Sequence, residues 1–283
     1  MLGWLAGSVL RVRRGHVDSS MRAAGVANVA ACARGMYRAL GMSVAEFLWL
    51  ALAGSRALGH VRVDAQSQDR WRRALAHGRG VVVAASHTGN WDLAACAIAR
   101  DVALLVVTKR LSVRWLDRLW QSTRAARGVR LAEARGAIRR SRDVLTRGGA
   151  VAMMIDQVPD PSRRATATPF LGRMALVDRA PAALAASARV PLVVAAAARQ
   201  PCGDHVLYVL DVFVPPDRPG RGWVEEASVS ATRALDRFVR DHPTQWLWLH
   251  RRWKRLDRSG GTTMLGTPCT TPSSLPAARS RAV

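Results

Sequence analysis

The sequence predicts an α/β fold, a mixed central sheet flanked by helices, with an N-terminal helical segment ahead of it. Three observations predict it. Short runs of small and β-branched apolar residues recur at Val81–Ala85, Val102–Thr108, Ala150–Ile155 and Pro191–Ala198, the pattern of strands buried on both faces. Segments of helical period lie between them, and strands alternating with helices place helices on both sheet faces. The chain has 283 residues, 49% of them hydrophobic, enough for a sizeable core.

Taken in order, Met1 to Leu10 is apolar but short, and Arg11, Arg13 and Arg14 follow it. It lacks the longer hydrophobic region and small-residue cleavage site of a secretory signal, and reads as a membrane-surface foot or the remnant of a longer segment. Met21–Leu40 is Ala-rich with arginines at 22, 34 and 38, an amphipathic helix. Ser43-Val44-Ala45-Glu46 has the form of a capping box and opens a second helix to about Arg56. Its run Phe47–Leu52 is nearly all apolar; such a helix is buried or touches lipid, and core frequencies favour burial. No uncharged apolar run reaches the roughly 18 residues of a transmembrane helix. Residues 1–60 thus form an N-terminal helical, membrane-proximal segment.

Ser67 caps a short helix that ends near Gly78-Arg79-Gly80. The strand Val81–Ala85, a polar turn Ser86–Asn90 and a helix Trp91–Ala99 follow. After the strand Val102–Thr108, Ser112 caps a helix to about Ala126, with Trp115, Leu116, Leu119 and Trp120 on one face. Val129–Leu131 is a short strand, and Arg135–Arg147 a helix ended by Gly148-Gly149. The strand Ala150–Ile155 ends at Asp156. From Gln157 to Val177 the sequence predicts a long polar loop with Pro159, Pro161 and Pro169; loops of that length are functional or disordered. A helix near Ala180–Ala188, strands near Pro191–Ala198 and His205–Phe213, and a helix Val224–Asp241 complete residues 61–256. The tail 257–283, rich in Ser, Thr, Pro and Gly, is predicted to be disordered.

The corner Ser86-His87-Thr88-Gly89-Asn90-Trp91-Asp92 leaves a histidine at the mouth of a strand-turn-helix. Ligands in α/β folds gather beyond the carboxyl ends of strands, where both His87 and Asp156 fall. Two readings of the corner stand side by side. Asp92 accepts a hydrogen bond from one imidazole nitrogen and leaves the other to act as a general base. Alternatively, Asn90 merely caps the helix and Asp92 merely favours its positive end.

Net charge is +23, from 43 basic and 20 acidic residues. Such an excess calls for an anionic partner: nucleic acid, an acidic protein or an anionic membrane surface. Between Val107 and Arg147, 12 basic residues face three acids, a local +9, so part of this run is expected to line the cleft at His87. Cys32, Cys96, Cys202 and Cys269 are scattered, without metal-ligand or disulfide spacing, which fits a reducing cytosolic setting.

Three blocks carry a resemblance. The corner resembles the His-x4-Asp/Glu motif of glycerolipid and lipid A acyltransferases. Gly149–Asp156 followed by Pro169-Phe170-Leu171-Gly172-Arg173 resembles the second block of the lipid A late (lauroyl and myristoyl) acyltransferases. Gln245-Trp246-Leu247-Trp248-Leu249-His250-Arg251-Arg252-Trp253-Lys254 resembles their closing signature. The resemblance implies that 61–256 is an acyltransferase domain on the cytoplasmic face of the bacterial inner membrane, peripheral or weakly anchored. It implies transfer of a fatty acyl chain from acyl carrier protein, or acyl-CoA, to a hydroxyl of a lipid A precursor or related glycolipid, with no cofactor and no metal. It carries over His87 as base and Asp92 as its acid partner, and Asn90, Lys109, Arg124, Asp156 and Arg173 as substrate-binding residues. Backbone donors near Thr88–Asn90 are candidates for the oxyanion site. The sequence departs from the family in Asp92, usually Glu, and in Lys109-Arg110, usually Arg-Pro.

A lysophospholipid or other membrane-lipid acyltransferase is the nearest rival, but such enzymes show Glu-Gly-x-Arg where this chain has Asp156-Gln157-Val158-Pro159. A basic nucleic-acid-binding protein accounts for the charge and for nothing else.

Overall fold

Seven strands form the expected mixed sheet in the computed structural model, which describes residue 3 and residues 5–134, 136–160 and 165–254. The tail 257–283 with Cys269, and Arg135 and Pro161, lie outside the described residues. The helices α1 (Arg14–Ala23) and α2 (Val29–Ala53) lead into β1 (Val61–Val63) and α3 (Ala65–Leu75). The sheet continues as β2 (Val81–Ala85), α4 (Trp91–Ile98), β3 (Leu104–Thr108), α5 (Arg114–Ala125), β4 (Arg130–Glu133), α6 (Ala137–Thr146) and β5 (Ala150–Met154). Then come β6 (Ala165–Phe170), β7 (Arg173–Asp178), α7 (Ala180–Ala188), β8 (Leu192–Arg199), β9 (His205–Phe213) and α8 (Arg221–Asp241). The sheet order is β1-β9-β8-β2-β5-β3-β4. Its pairs are parallel except β8 with β9.

The central strands are buried on both faces, as their continuous apolar sequence requires. Val82, Ala84, Leu105 and Val151 point into one core layer with α6, α7 and α8. Val81, Val83, Leu104 and Val106 point into the other, under α2, α3 and α4. Strands β2 and β5 are in register, with Ala85 opposite Met154. The residues just beyond them, His87 and Asp156, therefore come out side by side.

Four local expectations are corrected. The N-terminal helices break elsewhere: Gly25, at φ 75°, ends α1, and the Asn28 side chain caps α2 by accepting from the Ala31 N–H at 3.0 Å. Ser43 opens no helix. It sits buried inside the unbroken α2, and its hydroxyl donates to the Gly89 carbonyl at 3.3 Å. Asp64, not Ser67, caps α3, accepting from the Ser67 N–H and hydroxyl. Ser112 does not cap α5, which starts at Arg114 without a side-chain cap; Asp117 instead closes the turn through the Leu111 N–H.

The predicted loop 157–177 is corrected as well. Its second half is the antiparallel hairpin β6–β7, turning on Leu171 and Gly172, both with positive φ. A two-residue turn of that kind matches the twist of the flanking strands. Pro169 obscures the pattern in sequence, yet a two-stranded ribbon is all edge and accepts it.

The run Phe47–Leu52 is not buried as a whole. Phe47 and Leu50 are inside, at 8% and 0% exposure, whereas Leu48, Trp49 and Leu52 are 43%, 39% and 89% exposed. The helical period divides one apolar run between two faces. The helical stretch Val29–His60, which holds an 18-residue window of mean hydropathy 1.2, is long and apolar enough to cross a membrane. It carries Arg34, Arg38 and Glu46, so no uncharged run of that length exists.

Gly89 sits at φ 56°, and a Cβ there would lie 2.7 Å from the Ala197 carbonyl oxygen. Gly89→Ala should therefore cost about 1–3 kcal/mol, read as a lower urea midpoint with an unchanged slope. An unchanged midpoint would show that the turn relaxes freely.

Candidate active site

His87 follows β2 and Asp156 follows β5, and the paired strands bring them into contact. The imidazole Nδ1 lies 2.9 Å from Asp156 Oδ1, and the His87 backbone N–H donates to Oδ2 at 2.8 Å. Trp246 Nε1 donates to the same Oδ2 at 2.9 Å. Asp156 is fully buried. Burial pushes its carboxyl up, but the His87 charge and hydrogen bonds, with His250 nearby, outweigh it and hold it well below the usual range. An ionised Asp156 accepts a hydrogen bond from Nδ1–H, which leaves Nε2 of His87 as the basic nitrogen.

The expected hydrogen bond from Asp92 to the imidazole is not formed. Asp92 lies in the first turn of α4, capped by Asn90, and its Oδ1 faces α5. It accepts from Trp120 Nε1 at 3.1 Å and Arg124 Nε at 2.7 Å. Burial raises the Asp92 carboxyl against the pull of Arg124 and the Trp120 bond. Five residues of separation carry it past the strand end and around the helix, whereas strand register places Asp156 beside the ring.

The residues predicted to bind substrate divide. Lys109 and Arg124 line a cavity of about 410 Å³ that also holds His87, Gln157 and His250. A second cavity of about 550 Å³ is walled by apolar side chains from β2, β9, α3 and α4, among them Leu58, Trp71, Leu75 and Ile98. Trp91, Val106, Arg124 and Met154 belong to both cavities. Asn90 faces neither: it is buried, caps α4 through the Leu93 N–H at 3.1 Å, and donates to Glu46 at 2.9 Å. Arg173 lines neither cavity and stands over the Trp253 ring at 4.7 Å. Asp156 is bound to the histidine rather than open to a ligand. Of the basic run, Arg110 joins Lys109 and Arg124 at the polar cavity, while Arg139, Arg140 and Arg142 are exposed on α6.

The segment after α8 supplies what the sequence reading did not assign. Gly89 N–H donates to the Gln245 carbonyl, and Leu247 N–H to the His87 carbonyl. Trp246, Trp248 and Trp253 are buried around Phe170. Arg252, also buried, donates to the Gln157 and Leu176 carbonyls. His250 meets the His87 ring edge-on, with centroids 4.8 Å apart. The aromatic-rich run Gln245–Lys254 is visible in sequence; that it folds back over the histidine turn is a property of the fold.

A mixed α/β sheet thus carries a histidine–carboxylate pair beside an apolar cavity. The pattern of the bacterial lipid A biosynthesis acyltransferases matches residues 27–255, and the chain belongs to that family. Its activity is accordingly acyl transfer. No curated protein matches the sequence.

Two histidines, His205 buried and His250 partly buried, give the structure a pH dependence. Burial, then the Arg199 charge, pushes His205 down to about 4. Burial, then the His87 charge, pushes His250 down to about 4. Both lie below the unfolded value of about 6.5, so unfolding takes up protons. Stability is then fully present above about pH 6.5 and is lost as pH falls toward 4. The midpoint of thermal unfolding should drop between pH 7 and 5; a flat profile would show that neither histidine is held neutral.

Proposed function

We propose that this enzyme moves a fatty acyl chain from a thioester donor, acyl carrier protein or acyl-CoA, to a hydroxyl of a lipid A precursor or related glycolipid, with His87 as the general base. The observation that carries the reading is the His87–Asp156 pair where an apolar cavity meets a basic one. The apolar cavity suits the acyl chain, and Lys109, Arg110 and Arg124 suit the phosphates of sugar or pantetheine. One nitrogen of Arg124, Nη1, is buried and without a hydrogen-bond partner among the described residues, on the wall common to both cavities.

A hydroxyl is a weak nucleophile at neutral pH. His87 Nε2 removes its proton as the oxygen attacks the thioester carbonyl carbon, and the carbonyl π pair moves onto oxygen. Collapse returns that pair, breaks the C–S bond and releases thiolate, which takes the proton back from His87. Ester and thiol leave, and the base is regenerated without an acyl-enzyme. Asp156 holds the Nδ1–H tautomer and stabilises the imidazolium, the part an acid plays in a triad. Asp92 acts at one remove, fixing Arg124 and Trp120 on the cavity wall.

The two carboxylates are thus assigned different work, and substitution separates them. His87→Ala should lower turnover about 10²–10⁴-fold, and Asp156→Asn on the order of 10³–10⁴-fold, measured as transfer to a lipid A precursor. Asp92→Asn should lower the melting temperature as well as activity, because Arg124 is left buried and unpaired. Asp92→Asn combined with Arg124→Gln should regain the stability. If Asp92→Asn abolishes turnover with an unchanged melting temperature, while Asp156→Asn stays active, the assignment is reversed.

The same reading places the enzyme on an anionic bilayer, held by charge and by the outer face of α2, where Val44, Leu48, Trp49 and Leu52 are exposed. Two modest signals of this kind give reversible attachment. High salt should release part of the protein from anionic vesicles, and Leu48→Ser with Leu52→Ser should release more. Resistance of both proteins to salt and alkaline extraction would argue for an integral anchor.

A further inference from the structure

The basic nitrogen of His87 is already occupied. Gln157 Nε2 lies 3.3 Å from His87 Nε2 and 3.4 Å from His250 Nε2. Asp156 accepts from the Nδ1–H of His87, so His87 Nε2 carries a lone pair and needs a donor. Only the NH2 side of the Gln157 carboxamide supplies one. That group has two hydrogens, one for each ring, so His250 must also present a lone pair at Nε2. A neutral imidazole does so, and burial keeps His250 neutral at cellular pH.

The backbone donors expected to meet an oxyanion here are partly spent. The His87 N–H is bound to Asp156, and the Gly89 N–H to the Gln245 carbonyl at 2.9 Å. Gln157, by contrast, brings one side-chain N–H to His87 Nε2 and holds the other on His250. Its own backbone is fixed by Arg252 Nη1, which donates to the Gln157 carbonyl at 2.9 Å.

We propose that the side-chain amide of Gln157 is a catalytic hydrogen-bond donor to the oxyanion of the tetrahedral intermediate, and that His250 is the positioning residue that aims it. The proposal rests on the acyl-transfer reading above. At rest one amide N–H caps His87 Nε2. The arriving hydroxyl gives its proton to that nitrogen and displaces this N–H. The displaced N–H stays beside the reacting carbon, because its twin remains tied to His250. As the new C–O bond forms and the π pair moves onto the carbonyl oxygen, that oxygen gains a donor set in place beforehand. Without the His250 lone pair the carboxamide is free to turn over and set its own oxygen against the developing charge, which raises the barrier.

The test has two arms. In the first, ¹⁵N spectra of the histidine rings in the wild-type protein at neutral pH, without substrate, should show Nε2 of both His87 and His250 unprotonated. Gln157→Leu should shift both signals. A protonated His250 Nε2 overturns the arrangement, whatever the enzyme's activity.

The second arm is kinetic. Gln157→Leu should lower kcat about 10²–10³-fold, the loss on removing one oxyanion donor, with KM for the thioester unchanged. His250→Leu should lower kcat in the same direction, and His250→Gln, which restores an acceptor, should recover most of the loss. Gln157→Leu combined with His250→Leu should be no slower than Gln157→Leu alone, since His250 acts only through Gln157. Full additivity, or a raised KM at constant kcat, overturns the proposal. A wild-type chain that transfers no acyl group refutes the acyl-transfer reading; an active chain indifferent to Gln157→Leu refutes this proposal alone.

Discussion

Asp156 is the constraint on which the site depends. A fully buried carboxylate is costly unless charge and hydrogen bonds surround it. Here the imidazole and backbone N–H of His87 and the indole of Trp246 converge on its two oxygens. Those bonds join three parts of the chain: the turn after β2, the end of β5 and the segment after α8. Remove the carboxylate and the turn loses its anchor, and the His87 ring and the Trp246 indole lose their shared acceptor.

A second buried network holds the same turn from the other side. Glu46, on the inner face of α2, accepts from Asn90, Arg199 and His205. The Ser43 hydroxyl donates to the Gly89 carbonyl. The helix with an apolar outer face is thereby tied by polar bonds to the loop that carries the base. Amphipathicity is divided here in an unusual way: one edge of α2 offers side chains that water disfavours, and the other offers charge that only a protein interior accommodates when paired.

The sheet was legible in the sequence because its signal is local. Val81–Ala85 and Ala150–Met154 read as buried strands on composition alone, and a sheet flanked by helices follows from their alternation with helices. The family, too, could be read from three blocks, and the match over residues 27–255 agrees with them. What was not legible depends on register and return. Asp92 is five residues from His87, Asp156 is sixty-nine, and proximity in sequence favours the wrong carboxylate. Only the pairing of Ala85 with Met154 sets Asp156 beside the ring. The hairpin β6–β7 was hidden by Pro169, and Ser43 mimicked a cap because its hydroxyl serves a distant carbonyl rather than its own helix. Asn90 and Arg173 are spoken for by Glu46 and the Trp253 face, contacts that no spacing rule foretells.

The segment Gln245–Lys254 carries one more consequence, in the order in which the parts are made. Trp246, His250 and Arg252 stand more than 150 residues after the His87 turn that they pack against. A ribosome that has delivered β2 and β5 has produced His87 and Asp156, but not the indole that satisfies the carboxylate or the guanidinium that fixes Gln157. Until Gln245–Lys254 emerges, the sheet holds a buried acid short of a partner, and α8 and the strands before it carry His87 and Asp156 without the segment that joins them.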